Sequence, residues 1–134
     1  MTERTTVAII NTTPDTVSML REVVESAGFE VVSCFTHDIR DGQMDFEAFM
    51  RLHRPRVIVY DLAPPYERNF QLFQQVRAMP VVKDAHFVVT SVNPKHVVGM
   101  VGRDQHIYEV VDREEDLLNI VQAVKEASRA RNTR

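Results

Sequence analysis

The chain alternates short runs rich in β-branched residues with stretches whose apolar residues fall at helical spacing, and this alternation constrains the fold most. Residues 5–10 (TTVAII) are so continuously apolar and β-branched that they read as a strand buried on both faces. Thr13 then suits a helix cap, Pro14 the first helical position and Asp15 the positive helix end. Val17, Leu20, Val23, Val24 and Ala27 repeat along one helical face until Gly28 stops the helix. Residues 30–35 form the second predicted strand, and the polar stretch 36–44, with Asp38, Asp41 and Gly42, reads as a loop. Phe46, Phe49, Met50 and Leu52 mark a short second helix, broken at Pro55. Residues 57–60 make a third strand that runs directly into Asp61. A loop with Pro64 and Pro65 leads to a third helix marked by Phe70, Leu72, Phe73 and Val76. Residues 86–90 are the fourth strand, and Asn93-Pro94 opens a fourth helix with Val97, Val98 and Val101. Residues 106–111 are the fifth strand; Asp112 suits the cap of a last helix carrying Leu117, Leu118, Ile120, Val121 and Val124.

Strands that alternate with helices in this way imply a parallel sheet covered on both faces. Right-handed crossovers then favour a doubly wound, flavodoxin-like α/β arrangement of five parallel strands in the order 2-1-3-4-5. A length of 134 residues suits one domain, expected over 1–128, with a basic flexible tail at 129–134 that carries Arg129, Arg131 and Arg134. A hydrophobic fraction of 44% is ample for its core.

Several classes are set aside by composition. No apolar run reaches the roughly 18 residues of a membrane span, and the polar first residues are no signal peptide. The single cysteine, Cys34, excludes an internal disulfide and a Cys-rich metal site. Flanked by Val31, Val32 and Phe35, it reads as a buried small hydrophobe, which suits a reducing, cytoplasmic compartment. A net charge of −3 with interspersed signs gives no footprint for nucleic acid. The histidines at 37, 53, 86, 96 and 106 lie on separate elements without a metal-ligand spacing, and no GxSxG elbow occurs, so no enzymatic activity is expected. His37, Asp38 and Asp41 read as a solvated loop in preference to a surface metal site.

In an open parallel sheet, ligands bind beyond the carboxyl ends of the strands at the switch point. That rule selects Asn11, Thr12, Asp61, Thr90, Ser91 and Glu109. Asp61 is the only acid that closes a strongly apolar strand, a costly place for a carboxylate unless it faces water, a metal or hydrogen-bond donors. It reads either as a phosphoacceptor or ligand-contacting carboxylate, or as a solvated cap of the following loop.

Residues 7–127 resemble the receiver domain of bacterial response regulators, which in two-component signalling takes a phosphoryl group from a histidine kinase onto an aspartate. The stretch 14–32, PDTVSMLREVVESAGFEVV, is similar to the usual first helix and second strand of the family. The stretch 55–77, beginning PRVIVYDLAPP, is similar to its third strand and following loop. The resemblance places Asp61 at the phosphoacceptor position, Pro65 at the loop proline and Thr90 at the switch hydroxyl. It places His106 at the switch aromatic, a role that Tyr108 takes if the register shifts slightly. Asn69 stands where a glycine is usual, and asparagine tolerates a left-handed backbone better than most residues.

Two departures matter as much. The acidic pair that helps to bind Mg²⁺ is replaced by Asn11 and Thr12, which leaves Asp61 the sole formal anion unless Asp15, Asp38 or Glu109 substitutes. The lysine that would pair with phosphoryl oxygens is replaced by Glu109, followed by Val110 where proline is often found.

Three functions fit these residues. The resemblance with its degenerate site implies an atypical or pseudo-receiver that signals by binding proteins, with no cofactor or only weakly bound Mg²⁺. A conventional phosphoacceptor at Asp61 needs an unusual metal site, with Asp61 itself as a weak ligand. A module for a small ligand such as a nucleotide or flavin would use the hydroxyls and helix start at residues 12–16, although no glycine-rich phosphate loop is present. The implied partners are a histidine kinase or a downstream effector. A homodimer would use the fourth helix, fifth strand and fifth helix, with Val97, Met100, Val101, Tyr108 and residues 112–127. Neither nucleic acid nor membrane is an expected partner. Asn11, Thr12, Asp61, Thr90 and Glu109 are expected to share one shallow pocket.

Overall fold

A computed structural model describes residues 4–101, 107–109 and 114–130. Strands β1 (Thr6–Asn11), β2 (Glu30–Phe35), β3 (Val57–Asp61), β4 (His86–Ser91) and β5 (Ile107–Glu109) form one sheet in the order β2-β1-β3-β4-β5. Every pairing is parallel. The helices are α1 (Pro14–Ser26), α2 (Thr36–Arg40), α3 (Phe46–His53), α4 (Tyr66–Ala78), α5 (Pro94–Val101) and α6 (Glu114–Arg129), with a 3-10 turn at Pro80–Val82. This is the doubly wound α/β arrangement that the alternation of strands and helices predicts.

Successive strand residues point to opposite faces of the sheet, so each inner strand feeds two cores. Val7, Ile9, Val57, Val59 and Val88 pack with Val17, Leu20 and Val24 of α1 and Ile120 and Val124 of α6. Ala8, Ile10, Ile58, Tyr60 and Val89 pack with Phe46 and Met50 of α3, Leu72, Phe73 and Val76 of α4, and Val97 of α5. Phe73 anchors the second core, with its ring 5.0 Å from Tyr60 and 5.6 Å edge-on from Phe87. Cys34 lies in that core as a buried free thiol, and burial pushes its pKa up to about 12, as suits a small hydrophobe.

The described structure departs from the expected secondary structure as follows. Residues 36–40 are not loop but helix α2. Thr36 is buried and Ile39, three residues on, packs against the α3–α5 core, which holds one helical turn in place although its other residues are polar. Leu52 is 76% exposed and belongs to no core. The inward face of α3 is set by Phe46 and Met50, and a residue two beyond Met50 lies about 200° round the helix. The last helix runs through Arg129, one residue into the expected tail, and residues 131–134 lie outside the described ones. His106, Val110 and Asp112 also lie outside, so the fifth strand is described only over Ile107–Glu109.

The end of α6 is clasped from a distance. Arg56, just before β3, donates Nε to the Ser128 carbonyl and Nη2 to the Ala130 carbonyl. A guanidinium there satisfies orphan carbonyls at the negative end of the helix. Arg56→Ala is expected to lower stability by about 1 kcal/mol in urea denaturation, with faster amide exchange over the last turn of α6. An unchanged midpoint and unchanged exchange would contradict the clasp.

Candidate functional site

The tips of β1, β3 and β4 end side by side. Asp61 pairs with Thr90 in the sheet register, and Asn11 follows Ile10, which pairs with Tyr60. Alternation therefore sends Asn11, Asp61 and Thr90 to the same face, the one covered by α1 and α6. All three are buried. Thr90 Oγ1 donates a 2.7 Å hydrogen bond to Asp61 Oδ1. At Asp61, burial outweighs that bond: desolvation pushes the carboxyl up to about 6 from an ordinary 3.8, and the Thr90 hydroxyl pulls it back only in part.

The loop after Asp61 is tied on both sides. Leu62 N–H donates to the Thr90 carbonyl at 2.8 Å, and Ser91 Oγ donates to the Leu62 carbonyl at 2.9 Å. Ser91 Oγ also accepts from Asn93 N–H at 3.1 Å, which fixes the start of α5. Asn69 Nδ2 donates to the Ala63 carbonyl at 2.7 Å. Pro65, joined to Pro64 by a cis peptide, is the N-cap residue of α4. Beyond the loop, the Tyr66 and His96 rings meet at 4.3 Å and link the first turns of α4 and α5.

No protein-family model matches the chain, and no curated protein matches it by sequence. Solved structures do match. A response regulator from Thermotoga maritima superposes with a TM-score of 0.62 at 19% identity, covering 96% of this chain and 100% of that one. A receiver domain from Methylobacillus flagellatus gives 0.63 at 19% identity, over 91% of this chain and 99% of that one. The chemotaxis protein CheY4 of Vibrio cholerae gives 0.61 at 20% identity, over 91% and 99%. The chain has the receiver fold.

Asn11, which the sequence resemblance puts at the acidic-pair position, has a side chain already committed to its own backbone. Asn11 Oδ1 accepts from Thr12 N–H at 2.7 Å and Thr13 N–H at 3.2 Å, an Asx turn that opens α1. Thr13 is the N-cap residue but makes no side-chain capping bond; its hydroxyl lies 2.8 Å from Thr16 Oγ1 and 3.4 Å from Asn11 Oδ1. Thr12 is half-buried, and Asp15 is exposed on the first turn of α1. Asp38 sits in α2, 3.6 Å from His37 Nε2. Among the described residues, no three His, Cys, Asp or Glu side chains gather to hold a metal ion. The donors described at the tip are thus one desolvated carboxylate and one spent amide, which do not fit a Mg²⁺ site built on anionic oxygens.

The remaining positions divide as follows. In backbone register Tyr108 stands beside Thr90 and Glu109 beside Ser91, so β5 carries both to the same edge; their side chains lie outside the described structure, as does all of His106. Asn69 is not left-handed. It is a buried helical residue of α4, and Arg54 is the one non-glycine residue with a positive φ among those described. Its work is the bond to Ala63, which the sequence did not reveal. The switch-point rule selects Ser91 as a strand-tip residue but does not give its role as a two-sided tie. The Asn-Thr-Thr-Pro order did hold a usable signal, because asparagine before a helix commonly bonds the backbone two residues on. Val97 is fully buried in the core and cannot serve on a dimer face. Val98, 41% exposed, and Leu118, 62% exposed, are the large apolar side chains of α5 and α6 most open to solvent among the described residues. No described helix is long and apolar enough to cross a membrane.

Proposed function

We propose that this chain is a pseudo-receiver of a cytoplasmic two-component phosphorelay, a non-enzymatic module that signals by docking a histidine kinase or a downstream effector and not by phosphoryl transfer. The observation that carries this reading is the state of Asp61: a buried carboxylate whose described partner is one neutral hydroxyl. A phosphoryl group there would add charge where burial already disfavours it, with Asn11 spent on its own backbone and a glutamate, not a lysine, at the tip of β5. The ties from Ser91 and Leu62 hold the loop and the start of α5 in one arrangement, which suits a constant docking surface. The exposed Val98 and Leu118 favour α5 and α6 as the face for a partner or a second copy.

Incubation with acetyl phosphate and Mg²⁺, read by intact mass, is expected to give no phosphorylated species that Asp61→Asn abolishes. A phosphorylated species lost in that variant would overturn the reading. The 2.7 Å bond between Thr90 and Asp61 favours a second reading, a conventional phosphoacceptor with Thr90 as switch, and that outcome would establish it.

A further inference from the structure

At the opposite end of the sheet from Asp61 lies a cavity of about 370 Å³, lined by Met50, Arg51, Arg54, Pro55, Arg56, Val81, Asp84 and Ala85. Its size falls in the range of roughly 300–1,000 Å³ usual for small-ligand sites. Three guanidinium groups line it against one carboxylate, Asp84. They differ in how far they are committed. Arg56 is fixed on the carbonyls of Ser128 and Ala130. Arg51 makes a 3.5 Å pair with Glu47, both largely exposed, which is a weak tie. The guanidinium of Arg54 has neither ion pair nor hydrogen bond among the described residues.

The backbone at Arg54 makes its identity informative. It is the C-cap of α3 with φ 47°, ψ 54°, and its N–H bonds the Met50 carbonyl. Glycine or asparagine takes this left-handed cap at least cost, and arginine pays a steric penalty there. Cations near a helix C-terminus are ordinary, but they need not occupy the strained position itself. An arginine held at that position over a cavity, with no partner for its guanidinium among the described residues, has its charge available to a ligand.

We propose that this groove binds a small phosphate monoester of nucleoside-monophosphate size, its dianion held between Arg51 and Arg54 and its body against Val81 and Ala85. The fork of an arginine matches phosphate oxygens two at a time, and the apolar wall adds what inorganic phosphate lacks. The site is independent of Asp61 and of whether that residue is ever phosphorylated.

Titration of the protein with adenosine monophosphate, inorganic phosphate and adenosine, followed by amide chemical shifts, tests this. The monophosphate is expected to saturate, with shifts confined to residues 50–56 and 81–85, and to bind at least tenfold more tightly than either fragment. Arg54→Gly and Arg54→Asn keep the left-handed cap and its stability, and each is expected to weaken binding at least tenfold; Arg21→Ala, which removes a remote surface arginine, is expected to change nothing. Phosphate binding as tightly as the monophosphate, adenosine binding as tightly, no saturation at all, or unchanged binding in the two Arg54 variants would each overturn the proposal.

Discussion

Replacing Asp61 with asparagine is expected to stabilise the protein at neutral and alkaline pH, and to leave it little changed in acid. The folded carboxyl titrates at about 6 against an ordinary 3.8. A raised folded pKa means that the native state binds the proton more tightly than the unfolded chain. Its stabilising contribution is complete below the unfolded value and is lost as pH rises through the folded one. Wild-type stability should therefore fall between about pH 4 and pH 7, by up to about 3 kcal/mol from this residue alone. Asparagine preserves the shape and the acceptor for Thr90 but carries no charge to desolvate. Urea denaturation of both proteins at about pH 4.5 and pH 8 should show the variant ahead by about 2 kcal/mol at the higher value only. A variant less stable than wild type at pH 8 would mean that a cation compensates the carboxylate.

Thr90→Val should have the opposite effect. Valine keeps the volume and removes the described donor to Asp61. An ionised buried carboxylate without its hydrogen bond costs about 2 kcal/mol, and the loss should shrink in acid, where the carboxyl is neutral. The carboxyl of this variant should also titrate higher than in wild type, because the Thr90 bond is the influence that lowers it. In the double variant with Asp61→Asn, the pH dependence of the Thr90 effect should vanish. A loss of the same size at pH 4.5 and pH 8 would show that Thr90 acts by packing and not through Asp61.

These effects were partly readable from the sequence. The continuous apolar runs at 5–10 and 57–60 and the helical repeat from Val17 to Ala27 fixed the parallel order, because both strand faces had to be buried. Once the sheet is parallel, the switch-point rule places Asn11, Asp61 and Thr90 at its tips. What composition could not convey was local and directional. Helix α2 rests on the inward contacts of Thr36 and Ile39 amid polar neighbours. Asn69 was placed by analogy at a left-handed position, yet its side chain, in an ordinary helix, ties the loop at Ala63. The Arg56 clasp joins residues more than 70 positions apart, and no periodicity reports such a pair. The Asn-Thr-Thr-Pro order does hint that Asn11 turns its oxygen onto its own backbone, as the structure shows.

The most direct measurement is the carboxyl ¹³C titration of Asp61 by NMR, with and without Mg²⁺. A secluded acid whose described partner is a threonine should show a midpoint near 6 that the metal leaves in place. A midpoint in the ordinary carboxylate range, or one that Mg²⁺ draws down by a full unit, would mean that a cation is at home in this site and that the protein is built to accept a phosphoryl group.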